Sequence, residues 1–143
     1  MNGENHMLSS LDKGFTVLAS QPAASSTQVS QLKRRYPSVP DEYVTLVGEA
    51  TEIELQHQNG QYLRIWGPDG CIEMDNGYAI SKRITGAIPI GDDGGGKVIF
   101  YMKGKQGFGL YHVGYGDLDA EDAIFAAPTL SALLKQGVGI ATF

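Results

Sequence analysis

The stretch Ala87 to Tyr101 most constrains what this chain can fold into. It reads as a strand, an acidic glycine loop and a second strand. The flanking runs, Ala87-Ile88-Pro89-Ile90 and Val98-Ile99-Phe100-Tyr101, are short and rich in β-formers. Between them lie Gly91-Asp92-Asp93-Gly94-Gly95-Gly96-Lys97. Glycine reaches positive φ without steric cost, and aspartate supports turns by bonding nearby backbone. Strands joined by so short a connection pair antiparallel, because a parallel pair needs a long crossover.

Other turn signals repeat the message. Asn59-Gly60 separates the alternating run Thr51–His57 from a return strand, Gln61–Trp66. Lys103-Gly104-Lys105-Gln106-Gly107 precedes a strand over Phe108–Val113. Gly67-Pro68-Asp69-Gly70 reads as a turn, Cys71–Asp75 as one helical turn, and Asn76-Gly77 as a turn into Tyr78-Ala79-Ile80. The 19 glycines are dispersed through the chain, which suits a sheet with many tight turns.

Helices bracket this run. Ser25 and Gln28 have capping-box spacing, and Val29, Leu32 and Tyr36 mark one face of the helix that follows. Pro37 ends it. Pro40 suits the first position of a second helix with Tyr43, Val44, Leu46 and Val47 as its apolar side, stopped at Gly48. A closing helix runs from Pro128 to Gln136, with Leu130, Leu133 and Leu134 apolar. Residues 1–26 read as an N-terminal extension holding a short helix on Leu8, Leu11, Phe15 and Leu18, and residues 27–143 as one domain. The expected class is α+β, a mostly antiparallel (mixed) sheet of five or six strands flanked by helices.

Composition narrows the function. Apolar residues make up 42% and charged residues 19%, enough for a core. A net charge of −5 argues against a general nucleic-acid binder and suits a basic partner. There is one cysteine, Cys71, and hence no internal disulfide. No basic segment followed by an apolar core opens the chain, and no apolar run reaches the roughly 20 residues of a membrane span. The expected location is the cytoplasm.

Gly91, Gly96 and Lys97 copy the start of a phosphate-binding loop. Val98 supplies no hydroxyl for magnesium, a strand follows where a helix is needed, and Asp92 and Asp93 would repel phosphate. Asp117-Leu118-Asp119-Ala120-Glu121 lacks the glycine and final glutamate of a calcium loop. Cys71, His6, His57 and His112 have no metal-site spacing, and the two later histidines read as core or edge residues of strands. No nucleophile sits in a Gly-x-Ser-x-Gly turn. The reading is therefore no enzyme, no cofactor and no metal.

What remains is an acidic surface. Residues 114–134 carry four acids and no lysine or arginine. Asp92, Asp93, Tyr115, Asp117 and Asp119 are the candidate partner-binding residues, with Trp66 a weaker anchor. Lys33, Arg34 and Arg35 form the basic cluster and read as a solvated face. Lys97, Lys103 and Lys105 read as charges that blunt a sheet edge.

Several segments together resemble the SUKH superfamily. They are Tyr36-Pro37-Ser38-Val39-Pro40-Asp41-Glu42-Tyr43-Val44-Thr45-Leu46-Val47, the strand–loop–strand at 88–101, and Ala126-Ala127-Pro128-Thr129-Leu130-Ser131-Ala132-Leu133-Leu134. They fall in the family's order across residues 28–136. Val39 stands where the family usually has leucine, and residues 51–66 lack its doubled glycine. The resemblance implies an α+β binding module without catalytic residues, in which a short apolar strand precedes the last helix. Bacterial members are mostly immunity proteins that neutralise toxins; fungal relatives regulate cell-wall synthesis. The expected partner is a cognate toxin domain, often a basic nuclease. The alternative is a regulatory, scaffold or small-ligand-binding protein with a pocket lined by Tyr62, Trp66 and Tyr78.

Overall fold

The computed structural model describes residues 7–143. The first half of the chain runs β1 (Phe15–Gln21), α1 (Ser26–Arg35), α2 (Asp41–Val47), β2 (Thr51–His57) and β3 (Tyr62–Ile65). Then come α3 (Pro68–Tyr78), α4 (Ile80–Arg83), β4 (Ile88–Asp92), β5 (Lys97–Gly104), β6 (Gly107–Gly114), β7 (Ile124–Ala127) and α5 (Leu130–Gln136). The fold is α+β. Its seven strands lie in sequence order, and each ladder is antiparallel. No helix among the described residues is long and apolar enough to cross a membrane.

The local signals around α1 hold at atomic detail. The Ser25 side chain accepts from Gln28 N at 3.1 Å, and the Gln28 side chain accepts from Ser25 N at 2.8 Å. Leu32 is buried on the inner side of α1. Pro40 stands one place earlier than expected, as the N-cap of α2 rather than its first residue. Gly137 ends α5 in the left-handed region at φ 72°.

Two strands were not foreseen from periodicity. In β1 only Phe15 is buried, so no alternation exists to find. Leu8, Leu11, Phe15 and Leu18, spaced as for a helix, fall instead on a 3-10 turn at Leu8–Ser10, the segment after it and this strand. β7 is four residues long, with its second half buried. Among the described residues the sheet therefore has seven strands rather than five or six, and no parallel pair.

The segment 67–80 also departs from expectation. Gly67 is the N-cap of an eleven-residue helix with Pro68 in its first turn. Gly70, Asn76 and Gly77 lie inside that helix, and Tyr78–Ile80 forms no strand. Burial outweighs the weak helix propensity of these residues. Cys71 and Asp75 face inward, and Asp75 accepts from Tyr36 Oη at 2.6 Å, Ser81 N at 2.7 Å, Ser81 Oγ at 2.8 Å and Arg35 at 3.2 Å. That carboxylate joins α1, α3 and α4. Ala79, in the left-handed region at φ 56°, makes the corner between α3 and α4.

Register explains the layers. Ile53 and Leu55 of β2 face Ile65 and Leu63 of β3, and all four are buried. Ile99 and Tyr101 of β5 share a face with His112 and Leu110 of β6. Leu32, Tyr43, Leu46, Leu130, Leu133 and Leu134 from the helices join the same core. The opposite face is polar in β2 and β3, where Glu54 pairs with Arg64 and Gln56 with Tyr62. It turns apolar in β5 and β6, where Val98, Phe100, Tyr111 and Val113 are buried. Strands covered on both faces read as continuous apolar runs, as β5 does.

The narrowest junction is between β3 and β4, with only Arg64↔Asp92 and Ile65↔Gly91 paired. A Cβ on Gly91 would collide with the carbonyl oxygen of Arg64. Gly91→Ala should therefore destabilise the fold by about 3 kcal/mol or more, by forcing two backbones apart. Gly77→Ala is the control. Nothing lies within 4 Å of a Cβ there, and the site is helical, so it should stabilise by about 0.5–1 kcal/mol. Urea denaturation of both variants checks the contrast; equal effects would mean that the junction tolerates a side chain.

His112 gives a pH signature. It is fully buried, stacked on Phe143 at 4.1 Å, with Nε2 3.0 Å from Thr142 Oγ1. Burial, then the charge of Lys97, lowers its pKa from 6.5 to about 4. The unfolded chain takes up this proton first, so the contribution is complete above about pH 6.5 and is lost as pH falls toward about 4. Thermal midpoints should fall over that window less steeply in His112→Phe than in the natural chain; parallel curves would assign the acid sensitivity elsewhere.

Candidate functional site

The junction between β3 and β4 also builds a hydrogen-bonded polar region. Trp66 follows β3 directly, and its amide donates to Ile90 O at 2.8 Å. Its indole Nε1 donates to Asp92 Oδ2 at 2.8 Å, while Asp92 Oδ1 accepts from Gly94 N at 2.8 Å. Asp92 thus fixes both Trp66 and the entry to the glycine loop. Arg64 Nε stands 3.5 Å from Asp92 Oδ2 as an ion pair, without hydrogen-bond geometry. Burial opposes the guanidinium charge, but Asp92 with Tyr62, Glu54 and Glu52 outweighs it and raises Arg64 above its ordinary value.

Beside this junction lies a cleft of about 330 Å³. Its walls carry Glu52, Asp69, Glu73 and Asp92 against the single cation Arg64, with Trp66 and Met74 as the apolar part. A smaller hollow of about 190 Å³ adjoins it and shares Glu52, Asp69 and Gly70. Each wall residue has a local reason for its place. Glu52 sits in the left-handed region at φ 46°, and its carboxylate accepts from Gly67 N at 2.7 Å where α3 begins. Asp69 accepts from Gln28 Nε2 at 2.9 Å. Glu73 is exposed and has no partner among the described residues. Carboxylates accept hydrogen bonds and donate none, so such walls suit an ammonium or guanidinium group.

The residues singled out in the sequence separate into two roles. Asp92 is buried, with both carboxylate oxygens engaged inside the fold. Asp93 is half-buried, and its Oδ1 accepts from Gly95 N at 2.8 Å and Lys97 N at 3.0 Å, shaping the loop tip. Tyr115 docks on that loop through its amide, 2.9 Å from Gly96 O. Its ring packs on Tyr78 at 4.4 Å, and its hydroxyl is buried without a partner among the described residues. Burial, then Asp92, Tyr78 and Asp93, raises that hydroxyl well above its ordinary value, so it stays protonated. Asp117 is exposed two residues on, so Asp93, Tyr115 and Asp117 share one end of the sheet. Asp119 is exposed and caps its own turn, accepting from Glu121 N at 2.9 Å.

Glu52, Asp69, Glu73 and Tyr78 were not singled out as partner-binding. The available signal was Pro68 after Gly67, which also marks a helix start; read that way, it places Asp69 and Glu73 on one helix face. Of Tyr62, Trp66 and Tyr78, only Trp66 lines the cleft. The Tyr62 hydroxyl donates to Glu54 at 2.7 Å and is raised to about 12 by burial, then by that bond. Tyr78 is exposed and packs at a tilt against Tyr115. Lys33, Arg34 and Arg35 are exposed at the end of α1, and Arg35 shares a small hollow of about 70 Å³ with Asp75 and Lys82.

Asp92→Ala should cost about 3 kcal/mol, because it leaves the Trp66 indole and the Gly94 amide without their acceptor in a buried place. Asp93→Ala should cost about 1 kcal/mol, since its loop amides can turn to water. Chemical denaturation with Trp66 fluorescence reads both, and a larger loss for Asp93 would reverse these roles. No family model matches the chain, and no curated protein matches it.

Proposed function

We propose that this chain is a non-enzymatic protein-binding module of the SUKH type, an immunity protein that neutralises a cognate bacterial toxin domain in the cytoplasm. The observation that carries the reading is the acid-walled cleft that Trp66 helps to line. The Tyr78–Tyr115 pair and Asp117 add an exposed aromatic and acidic area. Such a surface attracts a basic protein from a distance and then offers rigid aromatic contacts. The ordered resemblance of residues 28–136 supports the same reading. Binding would work by occluding the toxin's own basic site.

A small cationic ligand is the second reading, favoured by the volume of the cleft, which lies near the lower end of small-molecule sites. The two readings separate in one series. Co-expression with the toxin encoded beside the gene should rescue growth and yield a complex that co-purifies. Glu73→Lys with Asp117→Lys should slow association about tenfold or more at low salt, with little change in thermal midpoint. Loss of neither rescue nor rate in that variant would remove the acidic face from the interaction. Failure of the natural chain to rescue or bind, together with a rise in midpoint on adding arginine or a diamine, would instead favour the ligand reading.

A further inference from the structure

We infer that β1 is a self-pairing edge through which two copies of this chain associate. A seven-stranded open sheet has two edges, and here they are treated differently. The β7 edge is occupied. Gly139 is packed so closely against Ala126 that a Cβ there would collide with the Ala126 carbonyl, and the 3-10 turn Ile140–Thr142 follows at once. The β1 edge is open. Six of its seven residues are exposed, including Val17 at 42% and Leu18 at 53%.

Edge strands are usually blunted by lysine, proline, shortness or bulges. Phe15-Thr16-Val17-Leu18-Ala19-Ser20-Gln21 has neither lysine nor proline, nor any other charge, and it is long for an edge. Of these devices it carries the bulge: Val17 pairs with Leu55 and Ala19 with Glu54, so Leu18 is an extra residue against β2, and a second register shift follows between Ala19 and Gln21. Lys97, Lys103 and Lys105, which the sequence suggested as edge guards, belong to β5 and its turn, in the interior of the sheet. They protect no edge.

The occupant that fits is a second copy. Antiparallel pairing of a strand with itself is satisfied by a two-fold axis, so each contact is made twice. It lays an uncharged strand against its equal. It also matches charges at the ends. Lys13, exposed and without a partner among the described residues, precedes β1, while the carboxylate of Asp12 beside it is turned to Gly14 N and His57. Gln21, at the other end, lines the hollow that also holds Glu52 and Asp69. Antiparallel pairing brings the lysine end of each copy to the acidic end of the other. A single strand pair is small beside the roughly 1,600 Å² of a standard interface, so the association is weak, micromolar or above in dissociation constant.

The test is sedimentation velocity of the full chain from about 5 to about 500 µM. A concentration-dependent dimer is expected in the natural chain, and Leu18→Lys should remain a monomer throughout with an unchanged thermal midpoint. Cysteine substitutions at Val17, Leu18 and Ala19 give an independent reading. Cys71 is fully buried with its thiol pushed up to about 12, so the introduced thiol is the reactive one. At least one of the three should cross-link two copies under mild oxidation. A natural chain that stays monomeric at the highest concentration, or a dimer that Leu18→Lys leaves intact, overturns the inference.

Discussion

Two residue pairs, Arg64↔Asp92 and Ile65↔Gly91, hold the two halves of this sheet together. The chain leaves the sheet after Ile65, makes α3 and α4, and returns at Ile88. The returning backbone must then lie against β3 without a side chain between them, and Gly91 meets that demand. Asp92 follows at once and fixes the arrangement from the surface side through Trp66 and Gly94. A second tie crosses the helical side. Glu42 of α2 accepts from Leu130 N at 2.7 Å, Ser131 N at 3.0 Å and Tyr101 Oη at 2.8 Å, so one carboxylate reaches α5 and β5 together.

Glu42 and Asp92 belong to a wider pattern. Glu49 accepts from Met7 N and Leu8 N, Glu52 from Gly67 N, and Asp75 from Ser81 N. These carboxylates satisfy amides at helix starts and turns, where the backbone lacks its own acceptors. The net charge of −5 therefore overstates how much negative charge is available to a partner. Glu73 and Asp117 lie in the accessible fraction. This sharpens the reading of the surface. An acid in the sequence is evidence for a partner only once its internal hydrogen bonds are known.

Much of the fold was legible because the signals were local. Ser25 and Gln28 announced α1, Asn59-Gly60 announced the β2–β3 hairpin, and the glycine loop announced β4–β5. The failures have tertiary causes. Gly70, Asn76 and Gly77 read as turn residues, yet they are helical because Cys71 and Asp75 on the same segment are buried. β1 carries one buried side chain, and its pairing with β2 is what makes it a strand. The candidate site was half legible. Asp93, Tyr115 and Asp117 do gather at one end of the sheet, but Asp92 turned inward because Trp66 is buried beside it. Glu52, Asp69 and Glu73 met Asp92 in one cleft only through the path of α3, which spacing along the chain does not encode.

The sheet's order has a consequence for how the molecule can be made. Because every strand pairs with its neighbours in sequence, no strand emerging from a ribosome has to wait for one that lies beyond the next. The sheet can lengthen in the direction of synthesis, from β1 toward β7. The helical layer cannot close that way. Glu42 must hold its place until Leu130, 88 residues later, supplies the amide that it caps. The final turns of the chain thus act as the fastener on a sheet already laid down, and a nascent chain cut short before α5 would carry its strands but leave Glu42 without those amides.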